Sequence, residues 1–89
     1  MRKIFKYPFM ITDHFTLALP LHAEILTANM QHDEPCLWTL VDPEQPLEMR
    51  AFKLIGTGHL IEDTNKNLHY INTFQMHDGD FIWHLFEML

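Results

Sequence analysis

Turn-forming residues recur so often in this chain that it is cut into short pieces. Pro8, Pro20, Pro35, Pro43 and Pro46 are followed by Gly56, Gly58 and Gly79. Proline inside a helix removes a hydrogen bond and clashes with the preceding turn. The runs between these marks are rich in aromatic and branched side chains, which suit a pleated surface. Ile4-Phe5-Lys6-Tyr7 is one. Phe15 to Leu19 alternates large and small side chains, the period-two pattern of a half-buried strand. Cys36 to Val41 is apolar on both faces, as a central strand is. Met49 to Ile55, Tyr70 to Gln75 and Phe81 to Phe86 complete the series. The last two flank His77-Asp78-Gly79-Asp80, where Asp-Gly supplies the positive φ of a hairpin turn.

Leu21 to Met30 is open to two readings. Pro20 before His22-Ala23-Glu24-Ile25-Leu26 is compatible with a helix start. The polar run Gln31-His32-Asp33-Glu34-Pro35 instead turns the segment back against the Cys36 strand, and a strand is the preferred reading. Six or seven strands so spaced predict a mainly β fold, a small antiparallel sandwich or partly closed barrel with at most one short helix. A chain of 89 residues has material for one core, so residues 1–89 form a single domain. No internal repeat stands out.

Charge narrows the function classes. Twelve acids face six bases, a formal charge of −6. Arg2, Lys3 and Lys6 lie in the first six residues, leaving Arg50, Lys53 and Lys66 against all the acids. Direct nucleic-acid binding normally needs a basic stripe, and none is visible. The acids chiefly confer solubility, with docking onto a basic surface the sharper alternative. No apolar run approaches the ~20 residues of a membrane span. The charged N-terminus lacks the apolar stretch of a signal peptide, so a cytoplasmic protein is expected.

Few residues suggest chemistry. Cys36 is the single cysteine and lies beside Leu37 and Trp38, which makes it a packing residue rather than a nucleophile. The seven histidines show no His-x-x-x-His spacing, and no metal site or cofactor is assigned. His69 and His77 facing each other across the final hairpin, joined by Asp78 or His59, would be the nearest approach to a metal cluster. Asp42 and Asp63 can be proposed as a carboxylate pair, but so can other pairs, and nothing argues for an enzyme. Gly56-Thr57-Gly58-His59 follows a strand and is the best ligand-binding candidate, its amides able to cradle an anion. The plainer reading is a turn or bulge.

Aromatic residues make up 12% of the chain. In the last strand Phe81, Trp83 and Leu85 share one face, and Ile82, His84 and Phe86 the other. Such a strand is either central in a two-layer fold or part of an interface. Phe81, Trp83, Phe86 and Leu89 are therefore interface candidates, with a homodimer expected.

Several of these segments, taken together, resemble a known family. They are Ile4-Phe5-Lys6-Tyr7-Pro8, Pro35-Cys36-Leu37-Trp38 with Leu40-Val41-Asp42-Pro43, Gly56-Thr57-Gly58-His59, Tyr70-Ile71-Asn72-Thr73-Phe74-Gln75 and His84-Leu85-Phe86-Glu87. The resemblance is to small bacteriophage and prophage proteins of unknown function, over nearly the whole length. It implies a phage or mobile-element origin and an accessory role in the host cytoplasm, and it brings no catalytic residues, cofactor or partner. The first functional expectation is a non-catalytic interaction module that binds and inhibits or redirects a host protein, antiviral defence factors among the candidates. The alternative expectation is a small-ligand or nucleotide binder using the Gly56–His59 loop.

Overall fold

A computed structural model of the chain describes residues 1–61 and 67–89. Seven strands follow one another: β1 (Lys3–Pro8), β2 (His14–Pro20), β3 (Glu24–Gln31), β4 (Glu34–Val41), β5 (Leu47–Gly56), β6 (Leu68–Met76) and β7 (Phe81–Met88). A single 3-10 turn, His77–Gly79, is the one helical element among the described residues. The expected mainly β fold is present. Of Leu21 to Met30, the part from Glu24 onward is strand and Leu21–His22 form a turn; Gln31 pairs with Glu34, and only His32 and Asp33 are left to turn the chain. Both take positive φ, 50° and 64°, the backbone of the tight turns that match strand twist.

The strands form two antiparallel sheets. One runs β1-β4-β3 and the other β2-β5-β7-β6, and they do not close into a barrel. Pro8 and Pro20 lie on edge strands, where a missing N–H is harmless. Inward side chains of both sheets meet in one core. Ala28, Leu37 and Val41 come from the smaller sheet, and Leu19, Phe52, Leu54, Phe74 and Leu85 from the larger. Phe9, in the β1–β2 link, stacks on Phe15 at 4.6 Å and meets Phe74 edge-on at 6.2 Å.

The sheets are also sewn together along one side. The Ala28 amide donates to Asn72 Oδ1 (2.8 Å), and Asn72 Nδ2 donates to the Ala28 carbonyl (2.7 Å). A side-chain amide thus stands in for a peptide unit between β3 and β6. The open end of the core is closed by Arg50 and Glu87. Arg50 Nε and Nη2 donate to the two Glu87 carboxylate oxygens at 2.6 and 2.8 Å, and Nη1 donates to the Ala23 carbonyl. The Glu87 hydrogen bonds raise the Arg50 pKa further, against the opposing effect of burial.

The two sheets share a local arrangement without being a repeat. In each, a central strand (β4, β7) is flanked by a bulged strand (β3, β6) and a regular one (β1, β5). The bulges fall at Leu26 and Ile71. Ile71 stands as far after Leu26 as His77-Asp78 stands after His32-Asp33, and as Trp83 stands after Trp38. The pairing does not keep that spacing, since Gln31 pairs with Glu34 but Met76 with Phe81, and the two tryptophans lie on opposite faces. Trp83 packs on the core, whereas Trp38 lies across from Lys6 and Thr27 on the outer face.

Candidate functional site

The Gly56–His59 segment continues β5 into a four-residue turn. The His59 amide donates to the Gly56 carbonyl (3.0 Å), and Gly58 sits at φ 84°. Gly56 plays a different part: a Cβ there would lie 2.7 Å from the His59 ring and push it off the backbone. The imidazole therefore rests against bare backbone and meets Trp83 edge-on at 6.3 Å.

The turn between β6 and β7 comes to the same place. The hairpin expected there exists, but it closes on the Met76–Phe81 pair, one step wider than Asp-Gly alone requires. His77, Asp78 and Gly79 all have positive φ. Between the two turns lies a cleft of about 320 Å³, lined by Gly56, Thr57, His59, Asp80, Phe81 and Trp83 among others. The loop singled out from the sequence and two of the interface candidates, Phe81 and Trp83, thus line one concavity.

The interface candidates do not form one surface. Phe81 is 53% exposed at the cleft rim. Trp83 faces the core, and its Nε1–H donates to Met76 Sδ (3.2 Å). Phe86 lies on the outer face, edge-on to Tyr70 at 5.5 Å. Leu89 is exposed beyond β7, its amide bonded to the Asn67 carbonyl (2.8 Å). The strand is central in its sheet, between β5 and β6.

On that outer face runs a chain of hydroxyls and one imidazole that the sequence did not reveal. Thr57 Oγ1 is 2.8 Å from His84 Nε2, His84 Nδ1 is 2.8 Å from Thr73 Oγ1, and Thr73 Oγ1 is 2.7 Å from the Tyr70 hydroxyl. Tyr70 and Thr73 share a face because the Ile71 bulge adds one residue between them. The chain fixes the base of the Gly56–His59 turn to the neighbouring strands.

The remaining candidates disperse. His69 lies across from Glu87 and His77 lies in the turn beyond the other end of β6, so they do not face each other. His22, His32 and His77 are turn residues with positive φ. Among the described residues no group of three His, Cys, Asp or Glu side chains is placed to hold a metal ion. Asp42 caps its own turn, accepting from the Glu44 amide (3.1 Å), and Asp63 lies outside the described residues. Cys36 is fully buried, on the outer side of β4. Lys6 Nζ donates to Gln31 Oε1 (2.7 Å) across that strand. Burial pushes the thiol pKa up, with Lys6 opposing the rise and Glu34 adding to it.

Residues 1–89 match, over their whole length, the family described as Domain of unknown function (DUF7352). The chain belongs to that family. No curated protein and no solved structure matches it. For this DUF7352 chain the site must therefore be read from its own geometry. No helix of the described residues is long and apolar enough to cross a membrane.

Proposed function

We propose that this chain is a non-catalytic protein-interaction module, a phage or mobile-element accessory protein that binds a host protein in the cytoplasm. Inhibition or redirection of an antiviral defence factor is the role this reading assigns it. The observation that carries the reading is the outer face of the larger sheet. Leu47, Met49, Tyr70 and Met88 are exposed there, with Phe86 half-buried among them. A contiguous exposed apolar surface on a small protein marks a contact site. The resemblance to small phage proteins supports the origin. Affinity capture from host lysate with the native chain and with a Phe86→Glu variant tests it. One host protein recovered by the first and lost with the second is the expected result.

A second reading, a small-ligand binder, has its own support in the cleft between the Gly56–His59 and His77–Asp80 turns. Its volume lies at the small end of the usual range for ligand pockets. Mass spectrometry of small molecules released from the purified native protein tests that reading.

A further inference from the structure

The cleft has a chemical character that narrows its occupant. Three rings contribute to its lining, from His59, Phe81 and Trp83, and one carboxylate, Asp80. Among the described residues no lysine or arginine lines it. A phosphate entering here would meet the Asp80 carboxylate, with His59 as the one basic side chain of the described lining, on a chain of formal charge −6. A cation meets the opposite situation. Ring faces attract positive charge through their quadrupoles, and the carboxylate supplies an acceptor. The adjoining concavity, on the other side of Gly79, is lined by Asp33 and Asp78 and, among the described residues, again by no lysine or arginine.

The lining is also held in place. His59 lies against the Gly56 backbone, where a Cβ would collide with its ring. Trp83 is fixed by its hydrogen bond to Met76 and by the core. Thr57 is tied to His84. Phe81 has His77 edge-on at 5.7 Å.

We infer that the cleft receives the guanidinium of an arginine side chain presented by the protein partner. A guanidinium is planar, stacks on aromatic rings and donates to a carboxylate in the same pose, which a compact ammonium does less well. The assignment of the arginine to a partner protein rests on the interaction reading above. The preference of the cleft for a guanidinium does not, and the experiment addresses it directly.

The probe is N-acetyl-arginine-N-methylamide, titrated into the native protein while amide and indole resonances are recorded by NMR. Saturable shifts confined to Thr57, His59, Asp80, Phe81 and the Trp83 indole are expected. Asp80→Asn should weaken the probe about tenfold and Phe81→Leu about two- to fivefold; both are at exposed positions. The matching citrulline derivative, of similar shape but uncharged, should not saturate. Equal binding of citrulline, tighter binding of adenosine monophosphate, or no saturable shift at these residues would overturn the assignment. Binding of the probe with no host protein captured would fault the interaction reading and leave the cleft's specificity standing.

Discussion

Asn72 and Ala28 pair as two peptide units would, the amide side chain of one matching both backbone groups of the other. This joins β3 to β6 where no backbone ladder does, and it is the point at which the two sheets become one body. Replacing Asn72 with Leu leaves the Ala28 N–H and C=O, both part-buried, without those partners. A net hydrogen bond contributes about 1 kcal/mol, so the loss should be about 2 kcal/mol or somewhat more. Asn72→Asp should be worse than its shape suggests, since a carboxylate accepts from the N–H but repels the carbonyl. Urea unfolding of the three proteins checks the order.

That pairing also shows where sequence reasoning stops. The strands were legible because alternation and turn residues are local signals, and Gln31-His32-Asp33-Glu34 marked the β3–β4 turn correctly. Which strands lie side by side is not local. Asn72 reads as an ordinary strand residue until β6 is known to run beside β3. Trp38 and Trp83 show the same limit, since each sits in a similar apolar run yet they occupy outer and core-facing positions. At the site, the Gly56–His59 turn was visible from its glycines. Its hydrogen-bonded link through His84 to Tyr70 depends on the Ile71 bulge, which no local signal announces.

Arg50 and Glu87 form a two-pronged ion pair with side-chain exposures of only 18% and 9%. Removing one partner of such a pair strands the other, at a cost of about 3 kcal/mol. Glu87→Gln should show most of that loss in chemical denaturation. The double change Arg50→Met with Glu87→Leu should recover much of it, because neither charge is then left in the core end.

Thr39 is fully buried, and its hydroxyl has no hydrogen bond of standard geometry. Burial raises the pKa of the Tyr7 phenol, an effect that its interaction with Thr39 opposes. A buried hydroxyl left unpaired is destabilising, and valine has nearly the same shape. Thr39→Val should therefore stabilise the fold by about 1 kcal/mol, seen as a higher urea midpoint with unchanged slope.

Cys36 makes a pH-dependent contribution whose sign follows from its raised pKa. Below the ordinary thiol range both folded and unfolded chains hold the proton, and stability is unaffected. As pH rises through that range, the unfolded chain ionises first, so stability falls until the folded thiol also ionises. Cys36→Ala should remove this decline, as a comparison of urea midpoints at neutral and alkaline pH would show. The native thiol should also react slowly with a disulfide reagent at neutral pH, and quickly in urea. Rapid native labelling would mean that Cys36 is open to solvent.

Phe86 is the residue on which an interface on the outer face of the larger sheet depends. It stands opposite both Tyr70 and Lys53 in the register, at the middle of the apolar surface formed with Met88. It is half-buried, so a glutamate there can turn its carboxylate to water in a monomer. In an assembled interface the same carboxylate would have to be desolvated together with its neighbour Lys53, and removing such a pair from water costs a few kcal/mol by ordinary burial penalties. Phe86→Glu should therefore keep the circular dichroism spectrum and lower association strongly. If the partner is a second copy, sedimentation should show a dimer of the native chain and a monomer of the variant. If it is a host protein, the native chain should sediment as a monomer, and only capture from lysate should be lost. A variant that associates as well as the native chain would move the contact surface elsewhere on the fold.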